Sequence, residues 1–175
     1  STTVMRFNAA SVPPAWENVG IAGFSAGDAV NHSLSFAPDG TPYVAYQDQS
    51  VVNDFRTTVM RYNGMAWENV GIPRFSAGQA DYQSLAFAPD GTPYVAYQDQ
   101  SVANDFRTTV MRYNSTAWEN VGISRFSIGQ AQYHSLSFAP DGTPYIAHKE
   151  VLNGNKTNVM RLIGTAGAPT AVTAL

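Results

Sequence analysis

The chain has no cysteine among its 175 residues. That excludes disulfides and thiolate metal sites, but it does not fix a compartment, because many exported bacterial proteins also lack cysteine. Charged residues are sparse at 13%, while aromatics reach 12%, the opposite of a disordered composition. The net charge is −3 and the ten Lys and Arg are scattered, so no basic face for nucleic acid is expected. No apolar run approaches the ~20 residues of a membrane-spanning helix, and no segment keeps a helical period. With 14 Gly and 10 Pro, what remains is a chain of short strands and tight turns.

Those strands repeat. The run Trp-Glu-Asn-Val-Gly starts at Trp16, Trp67 and Trp118, a spacing of 51. Leu34, Leu85 and Leu136 keep that spacing, as do the Pro-Asp-Gly turns at Asp39, Asp90 and Asp141. Val-Met-Arg occurs four times, from Val4, Val59, Val110 and Val159. One unit reads as four strands: A over 83–88, B over 93–98, C over 108–113 and D over 118–122. Asp-Gly between apolar runs marks the A–B hairpin, where Gly takes the positive φ that the turn needs. Across the short C–D turn, Arg61 is expected opposite Glu68 and Tyr62 opposite Trp67, with Arg112 opposite Glu119 in the next unit.

Four antiparallel strands repeating every 40 to 50 residues is the pattern of propeller blades. The run 84–97, Ser-Leu-Ala-Phe-Ala-Pro-Asp-Gly-Thr-Pro-Tyr-Val-Ala-Tyr, followed by Val110-Met111-Arg112-Tyr113 and Trp118, resembles bacterial propeller blades of the tachylectin and NHL type. The expected fold is an all-β propeller of four-stranded antiparallel blades, about three to the chain. Propeller sequence is expected over 1–166: a partial blade 1–20, blades 32–71 and 83–122, and an incomplete blade 134–163. Residues 167–175 leave the repeat and read as a linker or the start of a following domain.

Several residues invite chemistry. Trp67 and its copies could stack on sugar rings, but a large aromatic opening an outer strand is expected to pack between blades. The loop 47–54 and its copy 98–105 carry carboxylates suited to calcium, yet lack the dense oxygen ligands and central Gly of a calcium loop. In the third copy the loop changes to Lys149-Glu150-Val151-Leu152, so a solvated loop is expected. His32 and His134 occupy equivalent places with Gln83 between them in the series. A metal ring needs a ligand in every blade, so no metal or other cofactor is expected. Between 16–66 and 67–117 only ten of 51 positions differ, and six lie in the D–A connection. These include Val30/Asp81, Asn31/Tyr82 and His32/Gln83. Loops on one face are the usual ligand platform. The candidate binding residues are therefore Asn31, His32, Asp81, Tyr82, Gln83, Gln132, Tyr133 and His134.

No nucleophile, base and orienter can be named, and near-identical blades supply repeated surfaces rather than one asymmetric constellation. No enzyme is expected. Tachylectin-like propellers are lectins, so the resemblance implies a carbohydrate-binding module, secreted or at a cell surface, with no nucleic-acid or membrane partner. A purely architectural or protein-binding repeat is the alternative, and a propeller glycosidase a distant one. Counting gives thirteen strands, C–D, two full blades, then A–B–C, with open edges at both ends. A head-to-tail homo-oligomer is expected, most simply two chains making six blades. Its strand D at 16–20 would complete the last blade of the next chain, and the C strands at 2–7 and 157–162 would compete for one place, with the latter favoured.

Overall fold

Each Pro-Asp-Gly tip closes a hairpin in the computed structural model, which describes residues 1–163 and 171–174. At the first tip Gly40 takes φ +86°, Gly40 N–H donates to Ala37 O, and Ala37 N–H donates to Thr41 O. The Asp39 carboxylate accepts the Thr41 N–H at 2.9 Å, and Asp90 and Asp141 do the same at the same distance. A side chain that caps its own turn in this way fixes the tip and frees strands to run away on both sides.

The described elements are all strands. β1 (Met5–Asn8) and β2 (Ala15–Asn18) form a two-stranded hairpin. The first four-stranded sheet runs in order through β3 (Ala29–Phe36), β4 (Pro42–Asp48), β5 (Arg56–Tyr62) and β6 (Trp67–Asn69). The second is β7 (Ala80–Phe87), β8 (Pro93–Asp99), β9 (Arg107–Tyr113) and β10 (Trp118–Asn120). The third is β11 (Ala131–Phe138), β12 (Pro144–Glu150), β13 (Lys156–Ile163) and β14 (Ala171–Ala174). Every pairing is antiparallel between chain neighbours, and β3, β7 and β11 lie side by side. These sheets are the blades of a β-propeller segment, with the A strands innermost.

The expected cross-strand marks hold. Arg61 pairs with Glu68 and Tyr62 with Trp67, and Arg112 with Glu119; Glu17, for which Arg6 and Arg161 are both open partners in the sequence, pairs with Arg6. The three ion pairs measure 2.6, 2.8 and 2.5 Å. Being exposed, each contributes well under ~1 kcal/mol. They set register more than stability.

Two strand expectations need correction. Strand A begins three residues earlier than the pattern over 83–88 suggests, because a bulge between Asp81 and Ser84 carries it back to Ala80. The same bulge occurs between Val30 and Ser33 and between Gln132 and Ser135. The last blade was also expected to lack a fourth strand, whereas Ala171–Ala174 pairs with β13, setting Val172 opposite Leu162. Residues 167–170 and 175 of the expected linker fall outside the described residues. Each C strand thus has its own D strand within the chain: β1 faces β2, and β13 faces β14.

The core lies between the blades, not within them. Ala45, Val59 and Val70 of the first blade pack with Leu85, Val95, Tyr97 and Trp118 of the second. Val110 and Val121 pack likewise with Leu136, Ile146 and Met160. The seam has a fixed set of ties. Trp118 donates its indole N–H to Val70 O at 2.7 Å and stacks on Phe75 at 4.4 Å and 8°. Trp67 repeats this on Val19 O and Phe24, at 2.7 Å, 4.5 Å and 9°. Leu85 N–H donates to Ser33 Oγ, and Leu136 N–H to Ser84 Oγ, both at 2.9 Å. Tyr43 meets Phe87 edge-on, as Tyr94 meets Phe138, with centroids 4.9 Å apart in each. The packing reading therefore holds for Trp67 and Trp118, each 9% exposed, and not for Trp16, which is 64% exposed.

Gly71 makes room for one such joint. It sits at φ +73°, and a Cβ there would lie 2.8 Å from the Tyr113 ring and 3.3 Å from Trp118. Gly64, at φ +95° in the C–D turn, has nothing within 4 Å. Gly64→Ala should cost only the backbone strain, about 1 kcal/mol. Gly71→Ala should cost about 3 kcal/mol, since strain and overpacking add. Urea midpoints of the two variants measure the difference.

His134 belongs to the seam as well. Its Nδ1–H donates to Tyr82 O at 3.2 Å, which leaves Nε2 to accept the Thr108 hydroxyl at 3.0 Å. Burial, reinforced by the nearby His148, pushes its pKa down to about 3. Below the ordinary value near 6.5 the unfolded chain takes a proton that the folded ring refuses, so stability is full above that value and falls as pH drops. The loss should reach about 2 kcal/mol at about pH 5. His134→Gln, which installs the residue found at position 83, should shrink that loss in urea melts compared at about pH 7.5 and about pH 5.

Candidate functional site

The bulge in each A strand forces one residue into left-handed backbone, at φ 54°, 54° and 55° for Asn31, Tyr82 and Tyr133. Asn tolerates this region through its short polar side chain, whereas a bulky Tyr there is an outlier costing on the order of 1 kcal/mol or more. The two tyrosine rings lie 4.7 Å apart at 55°. Tyr133 remains 64% exposed. Burial, then the proximity of Tyr133, then the charge of Asp81 push the Tyr82 phenol up.

Beside the rings is a cluster of amides around one carboxylate. Asp81 accepts N–H from Asn31 at 3.2 Å, from Gln100 at 2.5 Å and from Gln47. Gln47 and Gln98 also donate to the carbonyls of Ala80 and Ala131, at 2.8 and 2.6 Å, which ties the end of strand B to the start of the next blade's strand A. Gln49 and Gln100 donate to Gln47 and Gln98 in turn, at 2.8 and 3.0 Å. In the third blade Lys149 lies 3.4 Å from the Gln132 amide oxygen and 5.9 Å from the Tyr133 ring centre. The patch combines two aromatic faces, a carboxylate, several amides and an ammonium at one end of the inner strands.

The eight candidate residues divide into two groups. Asn31, Asp81, Tyr82, Gln132 and Tyr133 meet in this patch. His32, Gln83 and His134 turn into the seams, where each holds a threonine of the preceding C strand: Thr2 at 3.1 Å, Thr57 at 3.2 Å and Thr108 at 3.0 Å. Gln47, Gln100 and Lys149 were missed as patch residues. For the glutamines the signal was the alternation Gln-Asp-Gln, which puts both on one side of the strand end and the aspartate on the other, whereas Lys149 stands in Lys-Glu-Val and carries no such signal.

That aspartate accounts for the loop considered for calcium. Asp48 is buried and accepts the Thr58 hydroxyl at 2.9 Å and the Ser50 N–H at 2.9 Å. Asp54 is taken by Arg56 at 2.7 Å and Arg74 at 2.8 Å, and these guanidiniums hold its pKa below the usual range. The carboxylates of this loop fasten the loop itself.

No protein-family model matches the sequence, and no curated protein does. Among solved structures, the chain is similar to a putative glycosidase from Bacteroides thetaiotaomicron, at 16% identity and a TM-score of 0.55, covering 85% of this chain and 50% of that one. It is similar to a putative exo-beta-1,3-galactanase from Bifidobacterium bifidum at 14% identity and 0.54, covering 87% and 52%. A fucose lectin from Kordia zhangzhouensis, solved with methyl-fucoside, matches at 10% identity and 0.52, covering 82% of this chain and 96% of that one. The chain thus spans about half the length of the first two and nearly all of the lectin. At such identities the likeness carries the fold, and together with the blade order it places this chain among β-propellers.

Proposed function

We propose that the chain is a non-catalytic, carbohydrate-binding propeller module of an exported bacterial protein, and that the patch around Tyr82 and Tyr133 is its binding site. The carrying observation is that two tyrosines occupy a left-handed position where the first blade has the well-suited Asn31. Packing alone gives no reason to hold an exposed Tyr133 and a half-buried Tyr82 in strained backbone, whereas a ligand platform does. Aromatic faces take the CH side of a sugar, and amide and carboxylate oxygens take its hydroxyls. Propeller neighbours described as a lectin, a putative galactanase and a putative glycosidase support the ligand class.

Binding is favoured over hydrolysis by the acid inventory of the patch. Glycoside hydrolysis sets two carboxyl groups about one bond. Here Asp81 is held by amide donors, and its equivalents in the other blades are Val30 and Gln132.

A glycan array on the purified chain should give retention of a defined sugar class, with no release of reducing ends from the retained glycans. Tyr82→Asn with Tyr133→Asn should weaken that retention by at least tenfold, the loss of about 1–2 kcal/mol per stacked ring. The same double variant should melt no lower than wild type, because Asn relieves the strain. Undiminished binding puts the site elsewhere, absence of any glycan binding favours an architectural repeat, and hydrolysis of the retained glycan makes the chain an enzyme.

A further inference from the structure

The seam between blades is used twice inside the chain, and each end of the chain carries one unmatched half of it. Leu85 and Leu136 are 5% and 7% exposed, but their equivalent Leu34 is 48% exposed, and beside it Phe36 is exposed too. At the other end Ser135, the equivalent of the acceptors Ser33 and Ser84, is exposed. Tyr145, the equivalent of Tyr43 and Tyr94, lacks a described phenylalanine against its edge.

The tryptophans show the same imbalance. Trp16 is 64% exposed, against 9% for Trp67 and Trp118. The slot for a third indole lies at the far end of the chain. Val70, Phe75 and Tyr113 hold Trp118, and their equivalents Val121, Phe126 and Leu162 line an apolar cleft. The strand position that should supply the indole holds Val172, opposite Leu162.

A buried polar mismatch says which strands belong there. In the first two blades the carboxylates of Asp48 and Asp99 accept the hydroxyls of Thr58 and Thr109, at 2.9 and 2.7 Å. In the third, Glu150 takes that place and Asn158 faces β12 across the ladder. Both Glu150 carboxylate oxygens and both His148 ring nitrogens lack a hydrogen-bond partner among the described residues, the two groups lying 3.5 Å apart. The hairpin β1–β2 keeps what β13 has lost: Thr3 at the threonine position, Phe7 at the aromatic one and Trp16 on strand D. It is also docked as a C–D pair already. Thr2 and Val4 are buried, Val19 N–H donates to Val4 O, and Phe24 N–H donates to Thr2 O, copying the contacts of Thr57 and Val59.

We propose that two copies of this chain close head to tail into a six-bladed ring, in which the β1–β2 hairpin of each copy takes the place of β13–β14 on β12 of the other. Two copies closed in this way hold six blades, within the usual four to eight. At each new seam Leu34 N–H reaches Ser135 Oγ, Phe36 meets Tyr145, and Trp16 enters the slot of Val121 and Phe126. The Thr3 hydroxyl reaches the Glu150 carboxylate. A heterologous contact of this kind leaves no unpaired half once the ring closes.

The absence of cysteine makes the strand exchange directly readable. On the register of the first two blades, Val4 of one copy lies opposite Ala147 of the other, as Val59 lies opposite Ala45. Such a cross-strand pair is within disulfide reach. Light scattering of the wild type at tens of micromolar should give about twice 18.9 kDa. On oxidation, Val4→Cys/Ala147→Cys should become a covalent dimer, and Ala147→Cys/Val159→Cys should not form its intrachain bond within the dimer. Trp16→Ala should raise the dimer dissociation constant at least tenfold, and Val12→Ala on the same hairpin should leave it unchanged. A monomeric wild type overturns the proposal. A dimer that forms the 147–159 bond and not the 4–147 bond also overturns it.

Discussion

A single four-stranded blade has two faces and no interior, so everything in this fold depends on how one sheet covers the next. The indole joint carries much of that cover. Trp118 opens the outermost strand of its blade, lies flat on Phe75 and gives its N–H to Val70 O. Stacking of this kind adds about 0.5–1.5 kcal/mol beyond area burial, and the satisfied N–H avoids the cost of a buried orphan donor. The glycine at position 71 exists to let the ring approach. Farther in, the Leu N–H to Ser Oγ bond and the Tyr–Phe edge contact fix the angle between inner strands. Outer and inner ties together leave little freedom between neighbouring blades.

Much of this was legible in the sequence. The Pro-Asp-Gly tips, the period-2 strands and the Arg/Glu and Tyr/Trp cross-strand pairs are local signals, and all of them set short-range geometry. The bulge was not legible. Asn31, Tyr82 and Tyr133 read as connection residues because nothing in their own chemistry marks a left-handed turn inside a strand, and only Asn31 is a residue that favours one. The fourth strand of the last blade was hidden for the opposite reason. Ala-Val-Thr-Ala carries neither the tryptophan nor the glutamate by which every earlier D strand was recognised.

The candidate residues were found by asking where two near-identical blades differ, and the structure splits those differences by cause. Gly23/Arg74 concerns fastening, since Arg74 reaches over to Asp54 and the Asp48 carbonyl. His32/Gln83 concerns the seam, where either side chain can hold a threonine hydroxyl. Val30/Asp81 and Asn31/Tyr82 concern the surface patch. Differences adjacent in sequence thus answer to separate demands, because a bulged strand sends neighbouring side chains to different neighbours. The convergence of Gln47 on that patch came from the preceding blade's strand end, a distance that no local pattern spans.

Because each seam repeats the same few contacts, a 51-residue duplication creates no interface that must be invented afresh. The inserted blade presents Leu, Phe and Trp on one side and Ser, Tyr and the Val-Gly-Phe slot on the other, already matched to whatever precedes and follows it. Such a gene can lengthen or shorten by whole units while each intermediate still folds, with ring geometry as the limit on how many units are kept. The tie residues are shared by the two whole blades, 32–71 and 83–122, where this requirement applies on both sides. The bulge position is not, and it is the site at which successive copies are free to diverge.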